Sequence, residues 1–129
     1  MYIPPGYSCI SPYMLVEGAE GLVAFLTQAF DAVETSRSLR ADGKIANAEM
    51  RIGDCIFMLS EATEICAPMP ASYYLYVENA DASMAKALAA GATQILGVAD
   101  RPYGDRQGGV RDCCGNLWWI SQHLQPGAY

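Results

Sequence analysis

Histidine is almost absent: His123 is the only one in 129 residues. That removes the commonest general base and the commonest metal ligand from nearly the whole chain. Basic charge is also scarce, with 8 Lys and Arg scattered against 14 Asp and Glu and a net charge of −6. Nucleic-acid binding, which needs clustered cations on phosphates, is therefore not expected. No apolar run reaches the roughly 18 residues that span a bilayer. The opening "MYIPPGYS" has neither a basic start nor an apolar stretch, so a cytoplasmic protein without a membrane partner is expected. The five cysteines are odd in number and lack CxxC spacing. They read as thiols, with Cys113 and Cys114 adjacent in a turn-like "DCCGN" and no role assigned to the pair.

What is present is repetition. "VEGAE" (16–20) returns as "VENAD" (77–81), preceded by "SPYMLV" in the first case and "SYYLYV" in the second. A helical segment follows each copy. From Ala19 to Phe30 the apolar stripe is Leu22, Phe25, Leu26, Ala29 and Phe30; from Ala80 to Ala90 it is Met84, Ala85, Leu88 and Ala89. Glu20 and Asp81 stand in the first turns, where carboxylates suit the helix dipole, and Gly91 stops the second helix. The tails correspond as "IGDCIFMLS" (52–60) and "CGNLWWIS" (114–121), aligning Gly53 with Gly115. Each half reads strand, helix, then about three antiparallel strands. The expected fold is α+β: one domain, 1–129, of two βαβββ modules (about 8–62 and 71–124) joined by a linker at about 63–70.

These segments, with "GKIANAEMRIGDCIFMLSE" and "YGDRQGGVRDCCGNLWWIS", resemble the glyoxalase/bleomycin-resistance (vicinal oxygen chelate) superfamily. Within it the chain is similar to the small bacterial branch labelled phosphonate-locus or demethylubiquinone-methyltransferase-like. The resemblance implies a curved mixed sheet with helices outside and a concave pocket inside, and a homodimer. The methyltransferase label is not followed, because no glycine-rich loop after a strand is present to cradle S-adenosylmethionine.

The resemblance also implies where a metal would bind. Two positions lie five residues before the valine of each repeated motif, Ser11 and Ser72; two lie four residues after each turn glycine, Phe57 and Trp119. None is His, Gln or Glu, so neither a metal nor another cofactor is expected. Relatives of the branch carry histidine where "IANAEM" has Asn47, so no general base stands there.

Strand alternation sends Trp119 and Trp118 to opposite faces, and the resemblance implies that Trp119, at a metal position, faces the pocket while Trp118 packs under a helix. Tyr13 shares the face of Ser11; Tyr74 and Tyr76 share that of Ser72. A cup lined by Tyr13, Phe57, Tyr74, Tyr76 and Trp119 would stack a planar or cationic ligand, although the same rings would serve equally as core. Asn47, Glu49 and Arg51 alternate onto one strand face, making Glu49 the one weak candidate for a catalytic base or an amine-binding carboxylate. In "RPYGDRQGG" (101–109), Tyr103 and Arg106 stand near the expected mouth; Arg106 would fork onto a ligand carboxylate or pin the loop. His123 reads as a surface residue.

The expected function is metal-free binding of a small aromatic or cationic molecule, the mode that the resemblance to bleomycin-resistance proteins implies. One alternative is a metal-dependent lyase or isomerase of the glyoxalase type. Another is a non-catalytic protein whose cup is filled by its own side chains.

Overall fold

The structure is a computed structural model that describes residues 1–124. Its elements run β1 (Tyr13–Val16), α1 (Ala19–Phe30), β2 (Val33–Leu39), β3 (Ile45–Ile52), β4 (Cys55–Glu61), β5 (Ser72–Tyr76), α2 (Ala80–Ala89), β6 (Thr93–Asp100), β7 (Asp105–Arg111) and β8 (Leu117–His123). They form two four-stranded sheets, ordered β1-β4-β3-β2 and β5-β8-β7-β6. In each, the first strand lies parallel to the last and the other neighbours are antiparallel. The repeat read from the sequence is thus two βαβββ modules, each a mixed sheet. No ladder joins β1 to β5 within the chain, so both strands end as edges among the described residues.

Each sheet has one face under its own helix. On the first, Met14, Val16, Ala48, Met50, Phe57 and Leu59 are buried against the α1 stripe of Leu22, Phe25, Leu26 and Ala29. On the second, Val110, Trp118 and Ile120 are buried beside Ala80, Met84 and Ala87 of α2. The buried stripe of α2 is therefore not the one expected: Ala85, Leu88 and Ala89 face outward. An alanine-rich helix carries a weak apolar signal, and its roll is set by what it meets. Here α2 lies close over Gly108, where a Cβ would come 2.5 Å from Met84 Cε. The helices pack on each other, and Trp118, stacked 4.8 Å from Tyr73 in its own module, meets the first module at Phe30, 5.2 Å between ring centroids.

The helix N-termini are held the same way twice. The Glu61 carboxylate accepts the N–H groups of Gly18 (3.0 Å) and Ala19 (2.9 Å), and Gln122 Oε1 accepts that of Ala80 (3.0 Å). Burial alone would raise the Glu61 carboxyl, but those N–H groups with Lys44 and Arg40 bring it below its usual value.

This equivalence corrects the alignment of the tails. Glu61 stands to Gln122 as Val16 stands to Val77, and on the same interval Met58 stands to Trp119. Pairing agrees, since Tyr13 is opposite Met58 and Tyr74 is opposite Trp119. Aligning the turn glycines was one residue out because the turns differ in length. Ile52 pairs directly with Cys55 around a two-residue turn, whereas Arg111 pairs with Leu117 around residues 112–116. In a strand, one residue reverses the face. Phe57 accordingly lies on the helix side of the first sheet, in the core at 3% exposure, where it borders the cleft between the modules.

Candidate functional site

The face turned away from the helices carries the chemistry. On the second sheet, the alternation of β5, β7 and β8 aligns Ser72, Tyr74 and Tyr76 with Asp105, Gln107 and Gly109, and with Trp119, Ser121 and His123. A carboxylate is buried at one end of this face: Asp105, the first residue of β7, is 0% exposed. Its Oδ2 accepts the hydroxyls of Tyr74 (2.5 Å) and Tyr76 (3.2 Å), and its Oδ1 lies 3.2 Å from His123 Nδ1. Burial first, then the bond to Asp105, raises the Tyr74 hydroxyl above its ordinary pKa. The tyrosine rings are nevertheless open, Tyr74 at 46% and Tyr76 at 51% exposure, with centroids 5.3 Å apart. Their hydroxyls point inward to a charge while their carbon surface is left to solvent.

Beside them, the Trp119 indole lies over Gly109, where a Cβ would be 2.7 Å from Cζ3. Its Nε1 donates to Ser72 Oγ at 2.7 Å. Buried Gln107 donates to Ser121 Oγ at 2.8 Å and accepts the Tyr103 hydroxyl, which draws the 101–104 loop onto the same face. Tyr103, Ser72, Tyr74, Tyr76 and Trp119 are thus brought together.

The first sheet presents a second, less aromatic face. Tyr13, 53% exposed, shares a hydrogen bond of 2.8 Å with Ser60 Oγ, and Asn47 Nδ2 donates to Met58 Sδ at 3.5 Å. Glu49 lies on this face, but its carboxylate accepts the hydroxyls of Tyr7 and of Thr35 (2.8 Å). The Tyr7 bond, then that of Thr35, hold the Glu49 carboxyl below its usual value, and Tyr7 itself is pushed up to about 12. A carboxylate stabilised in its charged form is a poor proton acceptor. Ser11 precedes β1 and donates to the Ser8 carbonyl at 3.3 Å.

Arg106 stands apart from the other site candidates, held in ion pairs within the protein. It projects to the helix side, with Nε and Nη2 on Asp81 (2.7 and 3.0 Å) and Nη1 on Asp100 (2.9 Å). Neighbouring Asp105 and Gln107 face the other way, as alternation demands. Asp105, Gln107, Ser121, His123 and Met58 were missed as site residues. The alternation that placed Trp119 also places Ser121 and His123 beside it, which was the available signal.

The family's metal positions do not fit a metal here. With Met58 correctly in place of Phe57, they supply two hydroxyls, a thioether and an indole, and one serine is already held by that indole. No group of three or more His, Cys, Asp or Glu able to hold a metal occurs among the described residues.

Two seams flank the face. A cleft of about 320 Å³ between the modules is lined by Met14, Phe57, Tyr73, Leu75 and Trp118 together with Tyr74 and Tyr76. A groove of about 730 Å³ beside it is lined by Tyr76 and His123 with Asn79, Glu78, Lys86 and Asp31. Among the described residues, no helix is long and apolar enough to cross a membrane.

Comparison with known proteins places this geometry. No family model matches the chain. It is 34% identical over 127 residues to uncharacterized protein Mb0911c of Mycobacterium bovis, a match that covers 90% of this chain and 84% of that one. The same identity, over 90% and 75%, holds for uncharacterized protein Rv0887c of Mycobacterium tuberculosis. Among solved structures, TioX from Micromonospora sp. ML1 superposes with TM-score 0.77 at 28% identity, over 91% of this chain and 99% of that chain. TnmS3, an antibiotic binding protein from Streptomyces sp. CB03234, gives 0.71 at 18%, over 95% and 98%. A glyoxalase/bleomycin resistance protein/dioxygenase from Nocardioides gives 0.67 at 17%, over 98% and 89%. The duplicated βαβββ modules, their strand order and these likenesses lead to one assignment: the chain has the glyoxalase/bleomycin-resistance, or vicinal oxygen chelate, fold.

Proposed function

We propose that this protein binds a small planar or cationic molecule on the helix-free face, without a metal and without chemistry. The observation that carries the reading is the arrangement around Asp105: two half-exposed tyrosine rings above a fully buried carboxylate. Solvent-exposed rings grouped on one face mark a binding surface. The carboxylate beneath, with the net charge of −6, favours a cation over those rings. Tyr13 and Trp119 extend the aromatic surface, while Ser72, Tyr103, Asn47 and Glu49 supply its polar rim. That TnmS3, alike in fold, is an antibiotic binding protein supports binding as the mode.

The unpaired β1 and β5 edges favour a homodimer in which a second copy completes the cup, since exposed strand edges invite pairing. The reading of a self-filled cup has one observation in its favour: Tyr7 already lies on Glu49 of the first sheet.

The test is titration with a planar aromatic cation, methylene blue, followed by intrinsic fluorescence. Saturable binding that weakens about tenfold in Tyr76→Ala is expected, the scale of one desolvated cation–ring contact. Binding indifferent to Tyr74→Ala and Tyr76→Ala would sink the site. About one metal per chain by elemental mass spectrometry would overturn the metal-free part.

A further inference from the structure

We infer that His123, set by Asp105, is the hydrogen-bond acceptor for the ligand of this face and selects a planar ring bearing an acidic hydroxyl. The inference rests on the proposed ring-binding site and names the group that discriminates within it. A carboxylate can only accept, and Asp105 Oδ1 lies 3.2 Å from Nδ1, so the proton of the neutral imidazole is held on Nδ1. That leaves the lone pair of Nε2 outward, with no hydrogen-bond partner among the described residues. The side chain is 54% exposed while its carboxylate partner is 0% exposed. The acceptor faces the open site, and the group that orients it is shielded from solvent and cannot be displaced by a ligand.

The neighbouring rings narrow the chemistry. Tyr74 and Tyr76 spend their hydroxyls on Asp105, so what they offer a ligand is ring surface. Tyr76 meets the imidazole edge-on at 6.3 Å between centroids, and both line the groove of about 730 Å³. A flat ligand lying against Tyr76 brings a ring substituent within reach of Nε2. Among the charged groups of that groove, Lys86 is paired with Asp31 at 2.7 Å and Glu78 is an acceptor, so none of these competes to donate to Nε2. A phenol satisfies both features, stacking its ring and donating its O–H; a ring without the donor satisfies only one. Asp105 is a positioning residue in this scheme, since it acts through the imidazole.

The experiment compares 4-hydroxyacetophenone, a phenol that keeps its proton at neutral pH, with 4-methoxyacetophenone, which keeps the ring and replaces O–H by O–CH₃. Because the chain has one histidine, imidazole nitrogen NMR reads this site without assignment ambiguity. Expected are an Nδ1–H tautomer in the free protein and movement of the Nε2 resonance by the phenol alone. The phenol should bind about tenfold tighter than the ether, as one hydrogen bond allows. His123→Phe, at a half-exposed position that keeps the ring surface, should bring the two probes within about twofold of each other. Asp105→Asn should lose the Nδ1–H tautomer signature, a change that a merely structural role would not produce.

Equal binding of phenol and ether to the wild type would overturn the inference while leaving the ring-binding site standing. Preference for the phenol that survives in His123→Phe would overturn it as well. Failure of both rings to bind would overturn the inference together with the reading beneath it.

Discussion

Replacing Phe57 and Met58 by alanine, one at a time, tests the register on which the site depends. Phe57 lies in the first module's core at 3% exposure, between Met50 opposite it and the α1 stripe. Truncating a buried phenylalanine costs about 3–5 kcal/mol. The lower end applies, because Phe57 borders the cleft of about 320 Å³ into which its surroundings can relax. For a domain of this size about 3 kcal/mol corresponds to a fall in Tm of about 10 °C. Met58 points to the open face, half-buried, with its sulfur accepting from Asn47 at 3.5 Å. Its truncation should cost about 1 kcal/mol or less. Paired urea and thermal unfolding curves measure both, and titration with methylene blue adds a second axis. Phe57→Ala should lower stability with little change in affinity at equal folded fraction. If Met58→Ala proves the more destabilising of the two, the strand is turned over and the face described above is not the site.

Other expectations follow from individual contacts. Gly109→Ala should push the Trp119 indole off the sheet, breaking its bond to Ser72, at about 1–3 kcal/mol; unchanged tryptophan emission would contradict this placement. Arg106→Ala should leave the Tm almost unchanged, since its Asp81 and Asp100 partners are exposed, and should leave ligand affinity alone; a drop in affinity would return Arg106 to the site. Glu61 is lowered in the folded state, so its ionised form stabilises the fold above the usual carboxylate range and loses that contribution as pH falls through the lowered value. The stability gap between wild type and Glu61→Ala should therefore be about 1–2 kcal/mol at neutral pH and shrink on acidification; a gap that persists in acid would rule out the charge as its source. Tyr7→Phe removes the first cause of the lowered Glu49 pKa, so the Glu49 carboxyl should rise toward its ordinary value in an NMR titration; no movement would mean that Thr35 and solvent hold it alone.

The repeat shows why much of this was legible and some was not. "VEGAE" and "VENAD" mark two copies of one strand-to-helix step, and the α1 stripe of Leu22, Phe25, Leu26, Ala29 and Phe30 is strong enough to orient its helix unaided. Alternation in "SYYLY" and "LWWISQH" assigned Tyr74, Tyr76 and Trp119 to one face, and Trp118 to the other. Alanine-rich α2 carries too little apolar contrast to declare its buried side, and Gly108 against the helix decided it. Phe57 was placed from a glycine alignment that ignored turn length.

Local sequence, then, determined the elements, their duplication and the parity within each strand, because those depend on neighbours three, four or two residues away. Only tertiary structure decided that Asp105, His123, Tyr74 and Tyr76 act as one group. They come from β7, β8 and β5, and a buried carboxylate is tolerable only where donors distant in the chain converge on it. The same applies to Arg106 and to the metal positions: which face a residue serves is set by strand pairing, and pairing is a property of the folded chain.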